Sequence, residues 1–288
     1  MPQSDQLRRR LDESGYGAEG FAERYDAFRP RPPGALLDVL PQLAGVNRPG
    51  LVVDLGSGTG LSTRAWADRA DGVVGVEPNA AMRRYAEEAT DALNVSFAAA
   101  SSYDTGLADE SADIVTCSQS LQWMDPDAVF AEIARILRPG GVFAAYQYES
   151  LQTPFWEPEA AWDELRATTR RLRLELRLDE GKRLWPVSAE RLGAAGCFSH
   201  VRELSLHSLE EGDARRLVGF AMSEGSLTTL LDAGVSEQDV GLDRLRQVAE
   251  RTIGACPCPW LIGYRAWLGR RLGGTVLRPG NPGDHPPM

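Results

Sequence analysis

The chain has 288 residues, 43% hydrophobic and 25% charged, which is the balance of a soluble globular protein. Its net charge of -10 disfavours broad nucleic-acid binding, which needs a basic surface. The sequence shows neither a basic, apolar leader nor a run of apolar residues long enough to span a bilayer, so the expected setting is the cytoplasm, away from any membrane.

Residues 4–13 read as a short polar helix capped by Ser4 or Asp5 and broken at Gly15-Tyr16-Gly17. A second helix runs from Gly20 to Phe28, with Phe21, Tyr25 and Phe28 on one face. Arg29-Pro-Arg-Pro-Pro33 ends it, because proline disfavours a helical residue before it. A helix at 34–44 follows.

From 51 to 148 strand and helix signals alternate. Strands are expected at 51–55, 72–76, 94–98, 112–117 and 141–147, and helices at about 60–70, 79–91 and 125–137. Such alternation implies an α/β fold, with parallel strands and helices on both faces. Ligands in these sheets bind beyond the carboxyl ends of the strands.

After 148 the pattern changes. Helices are expected at 155–178, 188–195, 211–232 and 236–254, and strands at 200–209 and 259–268. The last two strands should join the sheet edge as an antiparallel pair. The expected organisation is a helical lid segment at 1–45 and one domain at 46–275. That domain carries helical insertions at about 151–196 and 211–254, and a flexible tail occupies 276–288.

Four cysteines and three histidines are scattered, with Cys256-Pro-Cys258 wrongly spaced for zinc, so no metal is expected. Of 31 basic residues only Lys182 is lysine, a bias that points to a GC-rich bacterial genome.

The chemistry centres on Leu51-Val-Val-Asp-Leu-Gly-Ser-Gly-Thr-Gly60. Glycines at 56, 58 and 60 allow a sharp turn and a close ligand approach to the main chain. Alone this is weak, since dinucleotide-binding dehydrogenases use similar turns. Asp54 adds a buried acid that needs hydrogen-bond donors or a cation. Glu77, in Val-Gly-Val-Glu-Pro78-Asn, ends the second strand, where an acid can accept from both hydroxyls of a ribose. Ser118-Gln119-Ser120-Leu-Gln122-Trp123 ends the fourth.

In these stretches the chain resembles the class I S-adenosylmethionine-dependent methyltransferases, in the broad group that includes the ubiquinone/menaquinone methyltransferases. The matching segments are VVDLGSGTGLST, VVGVEPNAAM, VSFAAASSYDTGLADESADIV, SQSLQWMD and ILRPGGVF. The resemblance implies a Rossmann-like seven-stranded, mostly parallel sheet with helices on both faces and a helical lid. It implies S-adenosylmethionine as cofactor, S-adenosylhomocysteine as product, and a small-molecule acceptor. By the same resemblance Asp54, Gly56, Ser57 and Gly58 hold the methionine part, and Glu77, followed by Pro78, holds the ribose. Met82 walls the adenine, Ser101, Ser102 and Tyr103 edge it, and Ser118 and Gln119 flank the sulfonium. Two positions depart from the family: Ser101 replaces a usual aspartate, and Gln122 stands where histidine is common.

Arg29 is expected to pair with the cofactor carboxylate. Tyr16 and Tyr25 are candidate catalytic groups of the lid, and Trp123, Tyr146 and Tyr148 candidates for the acceptor pocket. The favoured acceptor is aromatic or indole-type, from bacterial secondary metabolism, methylated at carbon or nitrogen. A carboxyl O-methyltransferase of a small organic acid is one alternative, implied by resemblance around Tyr25-Asp-Ala-Phe-Arg29-Pro30. A non-catalytic cofactor-binding protein is another.

Overall fold

A computed structural model describes residues 20–179 and 184–273. The helix expected at 4–13, Tyr16 and the tail at 276–288 lie outside the described residues.

Two helices come first, α1 (Phe21–Phe28) and α2 (Gly34–Leu43). Next are β1 (Leu51–Leu55), α3 (Leu61–Arg64), β2 (Gly72–Val76), α4 (Ala80–Glu88), β3 (Val95–Ala98) and β4 (Ala112–Ser118). A 3-10 turn at Leu121–Trp123 leads to α5 (Pro126–Ile136) and β5 (Leu137–Gln152). Then come α6 (Trp156–Glu175), α7 (Ala189–Ala194) and β6 (Phe198–Gly212). Helices α8 (Ala214–Met222), α9 (Gly225–Asp232), α10 (Glu237–Val240) and α11 (Leu242–Thr252) precede β7 (Cys258–Arg271).

The seven strands form one sheet in the order β3-β2-β1-β4-β5-β7-β6. Strands β1 to β5 are mutually parallel, and β7 runs antiparallel to both β5 and β6. This is the expected Rossmann-like architecture, with the last two strands at one edge. The strand order reverses direction at β1 and β4, and the crevice at that switch point is where such sheets bind ligands.

Alternate residues of the central strands feed two cores, as the two-residue period of a strand requires. Val52, Ile114, Val142, Ala144 and Tyr146 face α2, α6, α8 and α11. Val53, Val115, Cys117, Phe143 and Ala145 face α5 and α7. Helices α6, α8, α9, α10 and α11 pack on one another in one layer, while α7, which also falls within the expected insertion at about 151–196, packs on β6 and β7 over the other core.

Several boundaries differ from the expectation, each for a local reason. Strand β5 is 16 residues long, because it keeps pairing with β7 beyond the stretch that pairs with β4. The helix expected at 211–232 breaks at Ser223, and the one at 236–254 breaks at Gly241, whose φ is 89°. Helix α6 and the turn after it carry arginines at 170, 171, 173 and 177. Arg173 is buried and donates to Ser226 O and to Asp179.

Helix α1 packs on α8 and α4, with the Phe28 ring over Gly219, where any Cβ would lie 2.4 Å from the ring. The strap around it is tied to three distant elements. Arg64 of α3 pairs with Asp26. Arg29 Nη2 donates to Ser223 O at 2.6 Å, and the Tyr264 hydroxyl of β7 donates to Arg31 O.

Candidate active site

The turn after β1 is stitched to the tip of β2. Gly56 N and Ser57 N both donate to Val76 O, at 2.9 and 3.2 Å. Gly56 and Gly58 have φ of 68° and 56°, the left-handed region that side chains resist. A Cβ on Gly56 would also lie 2.6 Å from Ser120 Cβ.

Glu77 closes this turn from the next strand. Its Oε2 accepts from Gly58 N and its Oε1 from Asn79 N, both at 2.8 Å. Asn79 in turn caps α4 by accepting from Ala81 N and Met82 N. Burial pushes the Glu77 carboxyl up from 4.5 to about 7, against the pull of the two backbone donors. Each oxygen keeps a lone pair for a further donor.

Asp54 lies behind the turn, with no exposed surface. The sequence led us to expect a cationic ligand group or backbone N–H groups around it. Its partners are instead hydroxyls: Thr116 Oγ1 donates to Oδ1 and Thr63 Oγ1 to Oδ2, each at 2.8 Å. Burial raises it to about 6. It therefore braces β1 against β4 and α3 from beneath the site and does not border the cleft.

Above the turn opens a cleft holding about 970 Å³ of non-atom space, part of it open to solvent. On its β1–β2 side the lining includes Gly56, Ser57, Gly58, Glu77, Pro78, Met82 and Ser102. On the β4–β5 side it includes Ser118, Gln119, Trp123 and Tyr148. Tyr25 and Arg29 of the strap form the roof between them. The Arg29 guanidinium carbon lies 4.7 Å from the Tyr25 ring centre, 5.2 Å from Phe220 and 5.4 Å from Tyr148.

Three other expected residues do not border the cleft. The Ser101 hydroxyl is used locally, accepting from Tyr103 N at 3.1 Å. The Tyr103 hydroxyl turns away and accepts from Asp125 N at 2.8 Å. Tyr146, expected in the acceptor pocket, is buried one step behind Tyr148 and bonds the Ser62 hydroxyl. Burial there raises its phenol well above the ordinary range. Conversely Pro30, Pro32, Leu61, Ser62, Asn79, Ser120 and Met124 line the cleft without having been picked out. All but Ser62, which lies four residues past Gly58, are within three residues of one that was.

Part of the lining is polar and unpartnered. The Ser57 and Ser102 hydroxyls and the Gln119 amide nitrogen are buried with no protein partner, so they are available to a bound molecule. Gly58 leaves open room, since a Cβ there would meet nothing nearer than Met82 Cε at 3.7 Å. Among the described residues no group of histidine, cysteine, aspartate and glutamate is arranged to hold a metal, and no helix is long and apolar enough to cross a membrane.

Comparison with known proteins agrees with this geometry. Residues 53–145 match a family described as a methyltransferase domain. An uncharacterised methyltransferase of Mycobacterium bovis is 38% identical over 121 residues, 41% of this chain and 46% of that protein. The malonyl-[acyl-carrier protein] O-methyltransferase of Pectobacterium atrosepticum is 32% identical over 163 residues, 53% of this chain and 58% of that protein. The chain thus spans about half the length of the curated relatives it matches. Among solved structures, a provisionally named type II methyltransferase from Anaeromyxobacter dehalogenans superposes with a TM-score of 0.62 at 26% identity, over 85% of this chain and 99% of that one. With its sheet order, its glycine turn and the acid that closes it, the chain has the fold of that solved methyltransferase, and its residues 53–145 are similar to the methyltransferase-domain family.

Proposed function

We propose that the chain transfers a methyl group from S-adenosylmethionine to a small molecule with a flat, apolar body, in the bacterial cytoplasm. The single observation that carries this is Glu77 on the Gly58 N–H, a carboxylate locked at the mouth of a glycine turn. When bound, S-adenosylmethionine supplies an activated methyl group on a sulfonium with an excellent leaving group.

The residues then have two tasks. Glu77 accepts from the ribose hydroxyls, Met82 and Ser102 flank the adenine, and the turn at Gly56, Ser57 and Gly58 takes the methionine part. Ser118 and Gln119 border the reacting centre, while Trp123 and Tyr148 sandwich the acceptor and Tyr25 orients it from above. Tyr16, outside the described residues, shares that proposed role. Alignment of nucleophile and methyl can lower such a barrier by roughly 7–11 kcal/mol. The strap at 26–32 and α8 exclude water from the cleft. The aromatic walls support an aromatic or indole-type acceptor, as secondary metabolism offers.

Isothermal titration with S-adenosylhomocysteine tests the reading. We expect binding by the wild-type protein and at least about tenfold weaker binding by Glu77→Gln, the loss of one charge-assisted contact. Absence of binding to the folded wild-type protein overturns it.

A further inference from the structure

We propose that the acceptor is a small carboxylic acid in its ionised form, held by Arg29 and Gln119, and that the methyl group goes to its carboxylate oxygen. This rests on the methyltransferase reading above and names the acceptor chemistry of that site.

Arg29 is 8% exposed, yet among the described residues no carboxylate pairs with it. Its Nη2 donates to Ser223 O, its Nε is buried with no partner, and three rings surround it. A buried cation without a counter-ion is costly, and ring contacts offset only part of that cost. Gln119 supplies an independent sign. It is a non-glycine residue at φ 56°, held there by Gln119 N donating to Tyr146 O and Gln122 Nε2 donating to Gln119 O. That strained backbone sets a side chain whose amide nitrogen is buried and unpartnered. Both residues line the same cleft, and both offer donors. The group that satisfies them is rich in acceptors, flat and negative.

The cleft also constrains the chemistry. Among its described lining residues Glu77 is the one carboxylate, already tied to two backbone N–H groups at the β2 tip, and there is no histidine, lysine or cysteine. A nucleophile that arrives ionised needs no base. The carboxylate lone pair forms the C–O bond, the C–S bond breaks with its pair passing to sulfur, and the two charges cancel. No proton has to leave.

The sequence reading gave Arg29 to the cofactor carboxylate. Its guanidinium lies against Tyr148 of β5, which the reading above gives to the acceptor, and against Phe220 of α8. The experiment separates the two sources. Protein loaded with S-adenosylhomocysteine is titrated with benzoate, phenylacetate, indole-3-acetate and fumarate, and with the matching amides. In parallel, S-adenosylhomocysteine and 5′-methylthioadenosine, which lacks the amino-acid carboxylate, are titrated into wild type and Arg29→Gln. We expect at least one acid to bind at least about tenfold tighter than its amide, and Arg29→Gln to remove that preference while leaving both nucleosides unchanged. With labelled S-adenosylmethionine the bound acid should gain a methyl group that alkali releases as methanol. Equal binding of acids and amides, an alkali-stable methyl group, or selective loss of S-adenosylhomocysteine affinity in Arg29→Gln overturns the proposal. Failure of wild-type protein to bind S-adenosylhomocysteine at all falls instead on the reading beneath it.

Discussion

Glu77 Oε2 accepts from Gly58 N at 2.8 Å, so the acid at the end of β2 fixes the glycine turn at the end of β1. The same carboxyl therefore shapes the main chain and awaits a ligand. Its burial raises it to about 7, and ribose hydroxyls donating to it favour the ionised form. Below that value, ligand binding should release a proton. Affinity for S-adenosylhomocysteine should rise as pH climbs to about 7 and level off above it. Titration in two buffers of different ionisation enthalpy counts the protons, and a flat affinity from acid to neutral pH excludes the role.

Stability should follow the opposite sign. Glu77 and Asp54 both hold their protons more tightly folded than unfolded, moving from 4.5 to about 7 and from 3.8 to about 6. Their neutral forms suit the buried sites, so that contribution is whole below the unfolded values and is lost as pH rises through the folded ones. Asp113 and Glu132 act the other way, held low by Arg138 and Arg135, and their contribution is lost in more acidic solution. Melting of the ligand-free protein should thus decline from about pH 5 to 7. Glu77→Gln should flatten that slope, and a slope unchanged in the variant contradicts the assignment.

Gly56→Ala places a methyl group 2.6 Å from Ser120 Cβ at a φ of 68°. We expect a loss of about 1–3 kcal/mol in denaturant unfolding and a loss of S-adenosylhomocysteine binding. Gly34→Ala is the control, because a Cβ there meets nothing within 4 Å and its φ is ordinary. It should be neutral or slightly stabilising.

Tyr146 and Tyr148 should part company despite sharing a strand face. Tyr146→Phe removes the partner of Ser62 and should cost about 1–2 kcal/mol of stability without changing kcat or KM. Tyr148→Ala should raise the acceptor KM and leave cofactor binding intact. The reverse pattern would return Tyr146 to the pocket.

These contrasts mark how far the sequence could be read. The glycine turn, Glu77 and the alternation over 51–148 were legible because each is a local pattern with a local cause. Ser101 and Ser102 were not separable, since which of two neighbours turns inward depends on a bond from Tyr103 N to Ser101 Oγ. Tyr146 and Tyr148 share a face by period, and only the depth of β5 under the helices distinguishes them. The threonines around Asp54 lie 9 and 62 residues away in sequence. The break at Ser223 follows no proline or left-handed glycine, and its carbonyl gains a partner only when Arg29 arrives from 194 residues away.

The strap at 26–32 has a kinetic consequence. Its anchors at Ser223 and Tyr264 lie 194 and 233 residues further along the chain. Contacts so remote close last, after the entropy of the intervening chain has been spent on the sheet. The roof of the cleft should therefore dock onto a finished barrier of β5, β7 and α8. Pulsed hydrogen exchange during refolding should show amides of α1 gaining protection after those of β5. A protein caught between these two moments would be a folded sheet with an open, solvent-filled cleft, which makes the order of assembly also the order in which binding competence is acquired.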